Sequence, residues 1–280
     1  MKFQISAAAV THTGHVRSNN EDNYYLCGQI REDVSVGESN HTYSGGTNKF
    51  LAAVCDGMGG ENFGERASLL AVQTLKPSRW NAVRETAQTG VRQANSRICA
   101  EIEKNGGGRM GSTLAALYID EKNAISCNVG DSRVYHLRGG SLRQLSTDHN
   151  KARRLVELGV LTPEQAAKHH SRHELTQHLG IFEHELVLEP AFSEEIELIV
   201  GDIFLLCSDG LTDMVSETEI TARLTGGGTP EEQAKDLVQM ALAAGGKDNV
   251  TVLILHIGGN HCSAWQRIIS KLEWDVTGRR

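Results

Sequence analysis

Residues 50–60 read Phe50-Leu51-Ala52-Ala53-Val54-Cys55-Asp56-Gly57-Met58-Gly59-Gly60. The first six residues form a short apolar run, which is typical of a buried strand. Asp56 follows directly, and the glycines after it allow backbone carbonyls to approach a bound group closely. Oxygen ligands of this kind are preferred by Mg²⁺ and Mn²⁺. Taken alone, Asp56 could equally cap a turn at the end of the strand, so other residues must decide between the two interpretations.

The composition limits the class of protein. The chain has 280 residues and is 39% hydrophobic, which is enough to bury one sizeable core. No stretch approaches the roughly 18 apolar residues of a membrane span, so no membrane span is expected. The formal net charge of -7 argues against a nucleic-acid surface, which needs clustered Lys and Arg. The six cysteines form no CxxC pair, which indicates buried thiols in a reducing compartment and a cytoplasmic location.

Other carboxylates repeat the pattern of Asp56. Asp209 follows the apolar run 203–207, and Asp248 precedes a strand predicted over 250–257. Asp22 lies in a polar cluster beside predicted strand residues. In that cluster Arg17 comes four residues before the adjacent pair Glu21-Asp22. That cluster could be a solvated loop. The alternative is a phosphate-binding arginine, whose planar fork can hold two oxygens, beside metal-binding carboxylates.

Four carboxylates at strand ends or glycine turns are better explained by one shared site than by four separate turns. They are Asp22, Asp56, Asp209 and Asp248. Such a cluster repels itself unless cations neutralise it. Two divalent ions roughly 3.5–4 Å apart would clamp a phosphate and activate a water. Because no Cys or His lies beside these residues in a ligand pattern, Mg²⁺ or Mn²⁺ is favoured over zinc.

The rest of the chain predicts one domain of helices and strands. Apolar spacing predicts helices over 64–75 and 80–104, and an antiparallel meander is expected over 111–145. Three capped helices are expected to begin after Thr162, Ser216 and Thr229. The polar segment 31–48 is interpreted as a loop or hairpin insertion, and 189–199 as a strand.

Two segments outside the carboxylate pattern attract attention. His169, His170, His173 and His178 are crowded within residues 148–180. They match neither HExxH nor a Cys/His zinc pattern, so a mobile surface flap is preferred to a zinc site. Apolar residues at helical spacing in 261–280 predict a short amphipathic helix docked on the domain. We therefore expect one domain over residues 1–258 and a tail over 259–280.

Seven motifs, in order, resemble those of the metal-dependent protein Ser/Thr phosphatases, the PPM or type 2C family, and of its bacterial branch in particular. They are RSNNEDNYY at Arg17, AAVCDGMGG at Ala52, GSTLAAL at Gly111, VGDSRVY at Val129, LSTDHN at Leu145, LLCSDGLTDMV at Leu205 and GGKDNVTVL at Gly245. The ordered set spans about residues 10–258 and is far more specific than any one motif. The resemblance implies an α+β fold, a four-layer α-β-β-α sandwich of two antiparallel sheets flanked by helices.

The resemblance also implies a core site for two Mn²⁺ or Mg²⁺ ions. Asp56 would bridge both ions, and the Gly57 carbonyl would bind one of them. Asp209 and Asp248 would complete the shell of the first ion. Arg17 would bind the substrate phosphate, and these four charged residues would carry catalysis.

The remaining implied ligands surround this core. Glu21 would act on the second ion mainly through water, with Asp22 as an outer ligand or water orienter. Asp131 and Asp213, with Asp209 shared, would form a weaker third metal site, and Asn249 would position the centre. The substrates would be phosphoserine and phosphothreonine in proteins. The enzyme, a monomer, would oppose a bacterial Ser/Thr kinase and its phosphorylated substrates.

The sequence departs from the family pattern at two places. Met58 stands where many eukaryotic members have a histidine proposed as general acid, so we expect a metal-bound water to protonate the leaving group. The chain reads LTQHLG over 175–180 where bacterial members often read LTRALG, which affects substrate preference. Two rival functions are a non-catalytic pseudophosphatase, which would have lost ligands, and a nuclease or other phosphodiesterase, which would want a basic surface.

Overall fold

The computed structural model describes residues 3–46, 48–59, 63–78 and 80–259. In these ranges the strands are β1 (Phe3–His12), β2 (Asn23–Leu26), β3 (Gln29–Ile30), β4 (Ser39–Gly46), β5 (Phe50–Cys55), β6 (Gly57–Met58), β7 (Gly111–Ser112), β8 (Leu114–Asp120), β9 (Asn123–Val129), β10 (Arg133–Arg138), β11 (Ser141–Gln144), β12 (Ala191–Phe192), β13 (Ile196–Glu197), β14 (Ile203–Cys207) and β15 (Val250–Gly259). The α-helices are α1 (Gly64–Thr74), α2 (Val83–Lys104), α3 (Lys151–Glu157), α4 (Pro163–Ala166), α5 (Asp209–Thr212), α6 (Glu217–Thr225) and α7 (Pro230–Ala243).

Two antiparallel sheets carry the fold. The first sheet has the order β11-β10-β14-β15-β1-β4, and the second has β12-β9-β8-β5-β2-β3, with β13 also paired to β9. A short pair, β6 with β7, lies apart from both sheets. The longest register joins β1 and β15, from Phe3 opposite Gly259 to His12 opposite Val250. The strand of residues 50–55, expected from its apolar run, is central in the second sheet and fully buried.

Apolar packing on both faces of each sheet produces four layers. Ile5 and Phe204 belong to the cluster between the sheets. Leu70 and Ile98 pack from α1 and α2 onto the outer face of the second sheet, and Leu237 packs from α7 on the outer face of the first. Burying each such side chain contributes about 1.5–3 kcal/mol. The predicted sandwich of two antiparallel sheets flanked by helices is confirmed.

The helix signals in the sequence were largely reliable. Thr162, Ser216 and Thr229 each accept from the backbone of a residue three positions on and form a capping box. The apolar face of α2 is buried as its spacing predicts. The first three residues predicted for that helix, 80–82, form a 3₁₀ turn instead.

Three segment predictions were wrong. The strands predicted as one meander over 111–145 are divided, because β8 and β9 pair in the second sheet whereas β10 and β11 pair in the first. Within 31–48, residues 39–46 form β4, an edge strand in which exposed and half-buried residues alternate. The side chains of β4 are mostly polar and show no apolar pattern in the sequence. The strand is held in place by its pairing with β1 and not by burial. Within 189–199, only β12 and β13 are strands, and each has two residues. The tail predicted over 259–280 lies, except for Gly259, outside the described residues, and no described helix is long and apolar enough to cross a bilayer.

Candidate active site

Strand register brings the predicted carboxylates to one end of the sandwich. In the second sheet, Asn23 is opposite Cys55, so the residues that flank this pair, Asp22 and Asp56, are neighbours. In the first sheet, Cys207 is opposite Val252, and Asp209 therefore leaves β14 beside the start of β15. Asp248 enters β15 at the same end. The four sequence-distant carboxylates thus meet where both sheets end.

Asp22 joins the two sheets and is fully buried. Its Oδ2 accepts hydrogen bonds of 2.7 Å from the Ser208 hydroxyl and 2.7 Å from the Thr251 hydroxyl. Ser208 and Thr251 also bond to each other, since the Thr251 N–H donates to Ser208 Oγ at 3.0 Å. Asp22 belongs to the edge of the second sheet, whereas both donors belong to the first. The carboxylate is therefore held rigidly between the layers.

Two of the three buried carboxylate oxygens that have no hydrogen-bond partner among the described residues lie at this site. They are Asp22 Oδ1 and Asp209 Oδ1. An anionic oxygen buried in this way is costly unless a cation or a proton neutralises it. Both atoms lie in the cluster that the strand ends create, so the cluster supplies ligand positions that the protein itself leaves open.

Burial and mutual repulsion raise the carboxyl pKa values at this site. Burial raises the pKa of Asp22 to about 7 in spite of its two hydrogen bonds. Burial, with the charge of Asp213, raises the pKa of Asp209 to about 6. The pKa of Asp56 lies well above its usual range because of burial and the charge of Asp22. Cations held among these carboxylates would offset both the burial and the repulsion.

Glu21 lies on the α1 side of the cluster. Burial, with the charge of Glu65, raises its pKa to about 7. Its backbone is fixed at both ends: its N–H donates to Asn249 Oδ1 at 2.8 Å, and its carbonyl accepts from the Gly57 N–H at 3.2 Å. A Cβ on Gly64 would lie 2.4 Å from Glu21 Cδ, so only glycine leaves room for this side chain.

Asn249 ties the arginine loop to the strand that follows Asp248. Its side-chain amide donates to the carbonyls of Thr13 and Asn19, at 2.8 Å each. Arg17 lies within the loop so held, and its Nη2 is 2.6 Å from Asp248 Oδ2. About half of the Arg17 side chain remains exposed to the cleft. The loop therefore presents the guanidinium directly over one edge of the carboxylate cluster.

A second carboxylate group adjoins the first on the α5 side. Asp213 lies one helical turn after Asp209, and its N–H donates to the Asp209 carbonyl at 2.8 Å. Asp131, in the turn between β9 and β10, has a pKa raised well above its usual range by burial and by the charge of Asp209. The structure therefore brings together the three carboxylates that the sequence assigned to a third metal site.

The flap over residues 148–180 also reaches this second group. Arg172 Nη2 lies 3.2 Å from Asp213 Oδ1, and His173 Nδ1 lies 3.6 Å from Asp213 Oδ2 and 3.9 Å from Asp209 Oδ2. His173, Asp209 and Asp213 offer ligand atoms close enough to hold one metal ion. Of the four flap histidines, sequence analysis did not single out His173, because its partners lie far away in the chain.

The cluster forms the floor of a cleft of about 1040 Å³. Its lining includes Asp56, Asp209 and Asp248 together with Arg17. Met58, Met110 and Phe182 also line it, so the cleft combines charged and apolar side chains.

Comparison with known proteins identifies the chain. The sequence profile described as protein phosphatase 2C matches residues 33–243. The chain belongs to this family. Protein phosphatase PhpP of Streptococcus pneumoniae is 34% identical over 259 residues, which cover 90% of this chain and 97% of that protein. The predicted family and its enzyme class, a protein serine/threonine phosphatase, are confirmed.

Solved structures of bacterial phosphatases have the same fold. The crystal structure of the Mycobacterium tuberculosis serine/threonine phosphatase PstP/Ppp has a TM-score of 0.77 and 33% identity, covering 91% of this chain and 100% of that one. A second structure, the catalytic domain of PstP in complex with two manganese ions, has a TM-score of 0.73 and 32% identity, with the same coverage. The 2C profile begins at residue 33, so it does not include Arg17, Glu21 or Asp22. In this phosphatase the contacts of these residues place them at the site: Arg17 contacts Asp248, Glu21 bonds to Asn249, and Asp22 bonds to Ser208.

Proposed function

We propose that this 2C-family phosphatase hydrolyses phosphoserine and phosphothreonine in proteins at a dinuclear Mn²⁺ or Mg²⁺ centre. The proposal rests on the meeting of four carboxylates at strand ends. Two of them, Asp22 and Asp209, each have a buried oxygen without a hydrogen-bond partner among the described residues. The donor set is oxygen-rich, which suits these two metals. The PstP structure with two manganese ions has the same fold, which supports two ions in the core site.

Each carboxylate has a proposed role in holding the ions. Asp56 would be shared by the two ions, and the Gly57 carbonyl would help to hold one of them. Asp209 and Asp248 would hold the first ion, while Glu21 would serve the second mainly through water. When bound, the ions would neutralise the phosphate oxygens and acidify a water that attacks phosphorus in line.

Residues of the chain itself orient the reactants. Arg17 binds the phosphate oxygens with its planar fork and stabilises the charge that develops on them. Asp22, fixed by Ser208 and Thr251, turns its free Oδ1 towards the centre and orients the outer water. Asn249 holds the Arg17 loop at a fixed position relative to Asp248. No covalent phosphoenzyme is required in this arrangement.

Protonation of the leaving alkoxide requires another group, since Met58 has no proton to donate. We assign this function to the second carboxylate group, Asp131, Asp209 and Asp213, which would hold a third ion. Asp131→Ala should slow turnover of phosphothreonine peptides with little effect on binding of the two core ions. Unchanged turnover in this variant would remove the assignment.

A calorimetric titration tests the core site without relying on activity. Titration of the metal-free protein with Mn²⁺ should reveal two tight sites. Asp56→Asn should remove at least one of them, because the bridging carboxylate loses its charge. Asp236→Asn is the matched control, since Asp236 is half-exposed and pairs with Arg223 on the surface. Retention of both sites in Asp56→Asn would contradict the assignment of Asp56.

The biological setting is also part of the proposal. The enzyme acts as a cytoplasmic monomer that opposes a Ser/Thr kinase. The cytoplasmic location agrees with the five described cysteines, which are all free thiols. Deleting its gene in the organism that encodes it should raise phosphothreonine in the kinase or its substrates. An unchanged phosphoproteome would contradict the kinase partnership while leaving the enzymatic activity unaffected.

A further inference from the structure

The catalytic cleft contains a second arginine, which the proposed chemistry does not use. Arg109 lines the same cleft as Asp56 and Arg17, and its side chain is exposed. It precedes Met110 and the short strand β7, whose partner β6 contains the proposed ligand Gly57. Arg109 is therefore coupled by backbone pairing to the metal-binding turn, although it lies 53 residues after Asp56 in the chain.

Glycines fix the position of Arg109 from two directions. Gly106, Gly107 and Gly108 all adopt positive φ (78°, 93° and 120°), which turns the chain back from the end of α2 towards the cleft. A Cβ on Gly59 would lie 2.8 Å from the Arg109 carbonyl oxygen. The backbone of Arg109 therefore rests directly against the turn that follows Asp56.

The charges of the cleft make this arginine unusual. Arg17, the other arginine of the cleft near the core carboxylates, is paired with Asp248 at 2.6 Å. Arg109 has no ion pair or hydrogen bond to its side chain among the described residues. Glu185, an acid on the same side of the cleft, is instead an acceptor for the Phe182 N–H at 3.4 Å. Arg109 thus offers an uncommitted guanidinium to whatever lies along the cleft.

We propose that Arg109 forms an anion-binding subsite that recognises an acidic or phosphorylated side chain flanking the scissile phosphoresidue. The inference rests on the proposed protein-phosphatase function and specifies its substrate class. A guanidinium binds carboxylates and phosphates alike through paired N–H donors. Substrates with a second anionic residue near the phosphoresidue would therefore be preferred.

Chain geometry indicates which substrate residues can reach the subsite. Gly59 is two residues after Gly57, a span of at most about 7 Å, and Arg109 adds the length of its own side chain. An extended peptide advances about 3.3 Å per residue. The recognised anion should consequently lie within a few residues of the phosphoresidue.

A peptide panel tests the subsite. Each peptide carries one phosphothreonine in a neutral background, with Glu or a second phosphothreonine placed at one of the three positions on either side. Matched peptides carry Gln or Thr there, and kcat/KM is measured with Mn²⁺. At one position, Glu should raise kcat/KM about three- to fivefold, through KM, as exposed ion pairs allow. The two anion series separate carboxylate recognition from recognition of a second phosphate.

Variants assign the preference to Arg109. Arg109→Gln should remove the preference and Arg109→Glu should invert it, with the neutral peptide as reference in each variant. Arg92→Gln is the matched control, because Arg92 is exposed on α2, does not line the cleft and donates a hydrogen bond to Thr89. This variant should keep the preference. The effect should also shrink at high salt.

The outcomes separate this inference from the proposed function. Equal rates for all peptides with the unaltered enzyme would overturn the subsite while leaving the phosphatase function intact. A preference that persists in both Arg109 variants would also overturn the subsite. So would an equal loss of kcat on every peptide in these variants, because that result would indicate a structural role for Arg109. Absence of hydrolysis of every peptide would remove the proposed function and the subsite together.

Discussion

Arg17 Nη2 lies 2.6 Å from Asp248 Oδ2, so the proposed phosphate-binding residue and a proposed metal ligand form one ion pair. Because the pair is more than a third exposed on each side, it contributes little to stability. Its importance is functional. An ion bound by Asp248 would draw the carboxylate away from the guanidinium, and Arg17 would then be free to bind phosphate. Metal loading and readiness for substrate would thereby be coupled.

Substitution of Arg17 tests this relationship. Arg17→Ala should lower kcat/KM for a phosphothreonine peptide by about 10–100-fold, because a charge-assisted, two-pronged contact is lost. Arg17→Lys should recover only part of the loss, since an ammonium cannot bind two oxygens in the same way. Mn²⁺ affinity should stay the same or increase in Arg17→Ala, because a competitor for Asp248 has gone. Weaker Mn²⁺ binding in this variant would contradict the coupling.

Gly64→Ala should disturb the second metal position. The added Cβ would lie 2.4 Å from Glu21 Cδ and 2.5 Å from its Oε1, so Glu21 must move. Loss of such a supporting interaction typically lowers metal affinity 10–100-fold, and calorimetry with Mn²⁺ should show this at one of two sites. Gly90→Ala is the control, because nothing lies within 4 Å of the Cβ position on α2. Equal metal binding in both variants would rule out the assigned role of Glu21.

The metal-free protein should lose stability as pH rises from about 4 to about 7. The folded pKa values of Asp22 and Glu21 are about 7 and that of Asp209 about 6, whereas unfolded carboxyls titrate near 4. In this window the folded state binds more protons, so the free energy of unfolding falls with increasing pH. Burial raises the pKa of Asp202, but the hydrogen bonds from Arg138 and the nearby His136 outweigh it and lower this pKa to about 2, so Asp202 affects stability only below about pH 4.

Thermal unfolding in EDTA at pH 5.5 and pH 8 checks this dependence. The midpoint should be lower at pH 8. Saturating Mn²⁺ should stabilise the protein more at pH 8 than at pH 5.5, since only deprotonated carboxylates bind the ion. Glu21→Gln should reduce the difference measured in EDTA. A metal-free midpoint that rises across this pH range would show that the carboxylates are not destabilised by burial.

The core carboxylates could be predicted from sequence because each is attached to an obvious strand. Asp56 directly follows an apolar run, Asp209 follows another after Ser208, and Asp248 precedes a third. Antiparallel pairing at one end of both sheets then brings them together. The capped helices were predictable for a similar reason, since a capping box depends only on residues three positions apart.

The supporting contacts could not be predicted because they depend on strand register and packing between layers. Ser208 and Thr251 are ordinary polar residues at strand ends, and nothing local indicates that both donate to Asp22 across the sandwich. Arg172 and His173 belong to a polar flap, and their ion pairs with Asp213 span about 40 residues of chain. The Arg109 position depends equally on a non-local contact, that of its carbonyl with Gly59.

Hydrolysis of a phosphothreonine peptide by the purified protein tests the central claim most directly. Three conditions are compared: the unaltered protein with Mn²⁺, the same protein with EDTA, and Asp209→Asn with Mn²⁺. The proposed function predicts rapid hydrolysis only in the first, with losses of at least about 10³-fold in the others, because charge stabilisation by the metals contributes several kcal/mol. Comparable hydrolysis in EDTA or in Asp209→Asn would contradict a metal-dependent reaction at this carboxylate cluster.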